Sequence, residues 1–156
     1  MKKLFAIVVV VGLCMLAQNA FAQCNPKSTM IPAFEIRGNL LCPDGSTPSM
    51  VTLDWFQVDG VICSSDNINW NYPFSGAGTY QLQFWLDNTT DHTLQVCVTT
   101  ECNIGGNTQN IQGGFSADGM TPGACNATTA FPTGSSAVLA HIVTPVQLSS
   151  FTATAL

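Results

Sequence analysis

Thr79-Tyr-Gln-Leu-Gln-Phe-Trp-Leu-Asp87, the polar break Asn88-Thr-Thr-Asp91, and His92-Thr-Leu-Gln-Val-Cys-Val-Thr-Thr100 decide the fold class of this chain. In the first run Tyr80, Leu82, Phe84 and Leu86 alternate with Gln81, Gln83, Trp85 and Asp87. In the second, Leu94, Val96 and Val98 alternate with Gln95, Cys97 and Thr99. Successive side chains leave a pleated backbone on opposite faces, so period-two alternation predicts strands with one buried and one wet face. The short turn-forming break between the runs predicts that they pair as an antiparallel hairpin.

The flanking segments extend this pattern. Met50–Val58 reads as a strand with Val51, Leu53 and Trp55 on one face. Asp59-Gly60 is a tight two-residue turn that returns the chain through Val61-Ile-Cys63. Upstream, Ala33–Ile36 is a short strand, and Arg37–Ser49 is rich in turn residues around Pro43-Asp-Gly45. Downstream, Glu101–Asn107 reads as a loop and Thr108–Phe115 as a strand, with turn chemistry from Ala117 to Ser136. Ala137–Thr144 is apolar on both faces, which predicts a central strand, and Val146–Ala155 is a candidate last strand. About seven to nine short strands at this spacing predict an all-β antiparallel β-sandwich.

The first 22 residues read as an address for export. Lys2 and Lys3 precede an apolar run from Leu4 to Ala17, and Ala20-Phe-Ala22 supplies the small residues signal peptidase requires. The run is short for a bilayer span of roughly 20 residues, so no membrane insertion is expected after cleavage. The expected organisation is a signal peptide at 1–22, a sandwich domain at 23–144, and a closing strand or the start of a truncated module at 145–156. The expected location is secreted or at a bacterial cell surface. Cleavage leaves Lys27 and Arg37 against nine acidic residues, a formal net charge of −7. A chain this acidic lacks the basic patch that nucleic acid or anionic lipid needs.

Six cysteines remain after cleavage, an even number in an exported chain, and predict disulfides. Cys42 and Cys63 bracket the Met50–Val58 strand and its return, so a Cys42–Cys63 bridge would close the ends of a sheet. Cys102–Cys125 would staple the glycine-rich loop, and Cys24–Cys97 would pin the N-terminal arm.

Candidate sites are few. His92 falls in a turn and His141 in an apolar strand, and no Gly-x-Ser-x-Gly elbow supports a nucleophilic triad. Asp54 and Asp59 flank one hairpin, where turn and surface roles explain them more cheaply than glycosidase chemistry. The chain reads as a non-enzyme without a cofactor. Asp87 and Asp91 offer alternating oxygen ligands of the kind Ca²⁺ accepts, without the glycine and distal glutamate of an EF-hand loop. Trp85, Trp70 and Tyr72 are candidate sugar-stacking residues if exposed; the plainer reading makes Trp70 core and covers Trp85 with a neighbouring segment. The expected role is a structural or adhesive module whose partners are other surface proteins or glycans. Self-association through a terminal strand, as in a filament subunit, is the further alternative.

Two resemblances bear on this reading. Tyr72-Pro-Phe-Ser-Gly-Ala-Gly-Thr-Tyr-Gln-Leu-Gln-Phe-Trp-Leu86 resembles the second half of PKD-type and related immunoglobulin-like modules, in which a Gly-Thr-Tyr step opens a long alternating strand. That likeness of residues 72–86 implies the immunoglobulin-like arrangement of the sandwich. The Trp-Asp-Phe-Gly-Asp-Gly signature of those modules is absent here. Pro145-Val-Gln-Leu-Ser-Ser-Phe-Thr-Ala153 is similar to a junction in surface proteins exported by type IX secretion, where it opens a fibronectin-like module. That resemblance reaches only to Leu156. It implies either a piece of a longer surface protein or a segment that has become its own closing strand.

Overall fold

The computed structural model describes residues 24–27 and 33–146. Within them the two alternating runs do not pair with each other; they lie in different sheets. The described strands are β1 (Phe34–Leu41), β2 (Met50–Val58), β3 (Val61–Ile62), β4 (Ile68–Asn71), β5 (Thr79–Phe84), β6 (His92–Ile104), β7 (Asn107–Gly113), β8 (Thr128–Phe131), β9 (Ala137–Leu139) and β10 (Ile142–Val143). One sheet runs β4-β5-β1, with β9 and β10 following each other along the far side of β1. The other runs β3-β2-β6, with β7 and β8 along the far side of β6. The chain is thus an all-β, two-sheet sandwich, and its central strand order is the one immunoglobulin-like sandwiches use.

The expected hairpin fails for a reason of burial. Paired side by side, the two runs would present both apolar faces to the same side and leave them to be covered by other strands. Crossing between the sheets lets each face cover the other. Leu82 and Phe84 on β5 and Leu94, Val96 and Val98 on β6 all join one core. The link between them starts buried: Leu86 belongs to that core, and Trp85 is buried beside it in sequence.

Three local expectations also change. In β2 the pairing slips between Leu53 and Trp55, so Asp54 is a bulge residue. A one-residue slip exchanges the faces. Val51 and Leu53 therefore pack on the core while Trp55 sits beside Cys97 on the outside, and Phe56 and Val58 take over the inward positions. β1 continues past Ile36 to Leu41, through what reads locally as turn chemistry. The loop expected at 101–107 shrinks to Gly105-Gly106, both at positive φ, because β6 runs on to Ile104 opposite Asn107.

The expected central strand at Ala137–Thr144 is instead split into β9 and β10, and its first half lies at a sheet edge with Leu139 71% exposed. The Asp59-Gly60 turn forms as expected, with both residues at positive φ. The signal peptide and nearly all of the candidate last strand lie outside the described residues.

None of the three expected disulfides forms. Cys42–Cys63, Cys102–Cys125 and Cys24–Cys97 are replaced by Cys24–Cys63, Cys42–Cys102 and Cys97–Cys125. Cys42 and Cys102 meet because β1 and β6 lie in opposite sheets, and both side chains enter a small cluster with Ile111. Cys63 instead joins the main core together with Cys24. Cys97 points out of β6 between the inward Val96 and Val98, where the segment ending at Cys125 passes.

The three bridges fit an oxidising compartment. No helix among the described residues is long and apolar enough to cross a membrane. Closing the 60-residue separation between Cys42 and Cys102 is worth about 4 kcal/mol in the chain-entropy model. Replacing both with alanine is expected to lower the unfolding free energy by about that amount, read from urea denaturation.

Candidate functional site

The outer face of β4-β5-β1 carries the most organised group of polar side chains. Alternation in β5 buries Tyr80, Leu82 and Phe84 and turns Gln81 and Gln83 outward. Cross-strand register places Asn69 and Glu35 on either side of Gln83, and Asn71 and Arg37 on either side of Gln81.

Two hydrogen-bond relays result. Asn69 Nδ2 donates to Gln83 Oε1 at 3.3 Å, and Gln83 Nε2 donates to Glu35 Oε1 at 3.5 Å. Asn71 Nδ2 donates to Gln81 Oε1 at 3.1 Å, and Gln81 Nε2 donates to Glu35 Oε2 at 3.1 Å. Both relays end on one carboxylate, which also pairs with the Arg37 guanidinium. Gln81, in the middle, is only 5% exposed although it faces outward. Fixing these rotamers in the free protein lowers the entropy that a binding partner must later remove.

Arg37 is also held from the side. Its guanidinium carbon lies 5.3 Å from the centroid of the Phe74 ring, within cation–π range. Phe74 is positioned by the return into β5: its N–H donates to the Thr79 carbonyl, and the Ser75 N–H to the Thr79 hydroxyl. Beside the pair runs a shallow groove of about 290 Å³, lined by Arg37, Asn39, Phe74, Ser75, Thr79 and Leu139 among others. The face therefore offers a fixed cation, an exposed ring, hydroxyls and a row of amides, which suits recognition of a polar partner.

The residues singled out from sequence lie elsewhere. Trp85 is buried at 7% exposure, so it forms no surface platform. Trp70 is half-buried and stacked on Tyr80, with centroids 5.2 Å apart, and its indole Nε1 has no hydrogen-bond partner. Tyr72 is half-buried, its hydroxyl donates to the Pro48 carbonyl at 3.0 Å, and burial raises its pKa. Trp85 is covered, as the plainer reading expects, and the alternative of a sugar platform built on these three aromatics finds no exposed indole face at Trp85.

Asp87 and Asp91 make separate contacts, Asp87 through its backbone and Asp91 through its carboxylate. The Asp87 carbonyl lies 3.1 Å from His92 Nε2, and Asp91 Oδ1 accepts the Thr133 N–H at 2.8 Å. Among the described residues no group of three or more His, Cys, Asp or Glu side chains is placed to hold a metal ion. His92, expected in a turn, is the buried first residue of β6, with Nδ1 2.8 Å from Asp59 Oδ2. It ties the β2–β3 turn to β6. His141 Nδ1 accepts the Asn39 N–H at 3.0 Å, a strand-to-strand contact.

Sequence reading missed Glu35, Arg37, Asn69, Asn71, Gln81, Gln83 and Phe74. A signal was present: polar residues two apart in each of three short segments, 35/37, 69/71 and 81/83. Only the strand order shows that the three pairs share one face. Comparison with protein-family models, with curated proteins and with solved structures finds no match for this chain.

Two measurements test this electrostatic picture. Glu35→Ala removes the shared acceptor and strands the Gln81 amide, so a loss of about 1–3 kcal/mol in urea unfolding is expected. Asp91 and Asp118 are held below the usual carboxylate range: Asp91 first by the Thr133 N–H, Asp118 by the Thr121 N–H and hydroxyl and the Met120 N–H. A carboxyl whose folded pKa is lowered contributes stability above its unfolded value of about 3.9, lost as pH falls toward the folded value. Asp118→Ala is therefore expected to unfold at lower urea than the parent at neutral pH. The gap should narrow as the pH drops below about 3.9.

Proposed function

We propose that this chain is an exported, non-catalytic β-sandwich module of the bacterial cell surface, structural or adhesive, that meets its partner through the outer face of β4-β5-β1. The observation that carries the reading is the convergence of two amide relays and Arg37 on Glu35 beside the exposed Phe74 ring. A flat polar face fixed before contact, on a scaffold stapled by three disulfides, is suited to repeated engagement under extracellular conditions. The export signal at 1–22 and the likeness of Pro145–Ala153 to type IX surface proteins support the location.

A glycan is the second reading, and one observation favours it. Phe74 is 41% exposed next to amide and hydroxyl groups, so a sugar ring could stack there while its hydroxyls meet the relays.

Binding of the mature chain to intact cells and to a glycan array tests both. Arg37→Ala and Asn71→Ala are each expected to weaken binding about tenfold with the fold retained by circular dichroism. Undiminished binding in both variants would remove this face from consideration. A glycan signal abolished by Phe74→Ala would assign the sugar reading; cell binding with no glycan signal would assign a protein partner.

A further inference from the structure

β9 and β10 run parallel to β1, with Ala137–Leu139 beside Glu35–Arg37 and Ile142–Val143 beside Leu40–Leu41. Every other pairing between the described strands is antiparallel. Parallel neighbours need a long crossover, and here the crossover is residues 42–136, nearly the whole domain. The last disulfide ends at Cys125, so no bridge holds residues 137–144 to the sandwich.

The slot that receives this segment is built for it. The Ala140 carbonyl oxygen lies 1.7 Å from where a Cβ on Gly38 would stand, and it accepts the Tyr80 hydroxyl at 2.7 Å. The Thr144 methyl lies 2.8 Å from where a Cβ on Gly113 would stand. On one side the Ala140 N–H donates to the Arg37 carbonyl and the Thr144 N–H to the Leu41 carbonyl. On the other, the Ser116 N–H donates to the His141 carbonyl and the Gly123 N–H to the Val143 carbonyl. Ala140, Ile142, Val143 and Thr144 are buried in it.

The walls of the slot are stapled and its filling is not. β1 is fixed through Cys42, and the arm from Phe115 to Gly123 through Cys125. The filling follows a connection, Pro132–Ser136, that is exposed except at Ser135 and includes Gly134 at φ 78°. It is held by hydrogen bonds alone: Thr133 N–H to Asp91, Asn88 Nδ2 to the Ser135 carbonyl and Glu35 N–H to the Ser136 carbonyl. Without the segment, the buried Leu40, Tyr80 and Phe115 would lose their cover, so the slot requires a strand. Every contact just described is the same whether the strand comes from its own chain or from another copy.

We propose that β9–β10 is an exchangeable strand: residues 137–144 of one copy fill the slot between β1 and the Phe115–Gly123 arm of a second copy. The partner is another molecule of this chain, and the donor is β9–β10, not the tail beyond Val146. The tether favours closure within one chain until protein concentration approaches the effective concentration of a short linker, on the order of millimolar. The proposal stands apart from the polar face on β4-β5-β1.

Introduced thiols test it. Asn39 and His141 are neighbours on the outward side of the β1–β10 pair, one step before Leu40 and Ile142. The mature chain carrying Asn39→Cys is mixed with a mass-tagged chain carrying His141→Cys, warmed at high concentration and oxidised. The double variant in one chain is the control and is expected to close within itself.

Exchange predicts a covalent heterodimer exceeding the two homodimers together by roughly tenfold, and losing that excess on dilution to the micromolar range before mixing. A heterodimer yield no greater than that of the homodimers together, with the control closing normally, would mean random collision and would overturn the proposal. So would a control that fails to close, because β10 would then not lie beside β1.

Discussion

The contact of Phe84 with Phe56 and Phe131 is the constraint on which the rest of the sandwich depends. Phe84 belongs to β5 in one sheet; Phe56 on β2 and Phe131 on β8 belong to the other. Their ring centroids stand 5.1 and 5.4 Å from that of Phe84, and Phe34 closes the group against Phe131 at 5.6 Å. Aromatic pairs favour such tilted and edge-on arrangements, and each ring removes a large apolar area from water. Rings from both sheets must face each other for this to happen. The chain therefore changes sheets between β1 and β2, β3 and β4, β5 and β6, and β8 and β9, and folds back on itself only within a sheet, at β2–β3, β4–β5 and β6–β7.

That requirement explains what the sequence disclosed and what it hid. Period two reports which face of a strand is apolar, so β2, β5 and the core of β6 were legible, as was the Asp59-Gly60 turn. Period two carries no information about which strand lies alongside. The alternating runs at 79–87 and 92–100 thus looked like a hairpin while belonging to opposite sheets. β1 reads as ending at Ile36 because turn residues crowd Arg37–Ser49, yet Gly38 in that stretch is a strand residue made necessary by the carbonyl of Ala140, 102 positions downstream. Asp54 gave no warning of a bulge, and a single extra residue moved Trp55 to the outer face. Disulfide partners follow from the same hidden adjacency. The polar face shared by residues 35, 37, 69, 71, 81 and 83 was written in the strands, but only their lateral order assembles it.

One bridge, Cys24–Cys63, is part of the main core, whereas the other two sit where apolar contact is thin. The main core runs through both sheets and includes most of the large buried side chains. The second cluster contains only Cys42, Cys102 and Ile111, with Ile104 packed against it. Two of its three buried members are the bridge itself. At this end of the sandwich the disulfide substitutes for hydrophobic area that a chain of this size does not have to spare. The Cys97–Cys125 bridge has a comparable task on the outside of β6, anchoring a turn-rich segment. That segment in turn supplies one wall of the slot for β10.

The outer faces show how a chain with so few charges orders its polar surface. Each has one carboxylate serving as a shared acceptor for uncharged side chains. On β2 the bulged Asp54 places Oδ2 within 2.8 Å of the Thr99 hydroxyl and 3.1 Å of Gln112 Nε2. On β1 Glu35 collects Gln81 and Gln83. The two hubs differ in one respect. Glu35 is paired with Arg37, whereas no ion pair among the described residues involves Asp54. A partner approaching the Glu35 face meets a carboxylate already paired with Arg37; on the other face it would have to cover a carboxylate that has hydrogen-bond donors but no ion-pair partner among the described residues. That asymmetry supports the proposal that recognition takes place on β4-β5-β1.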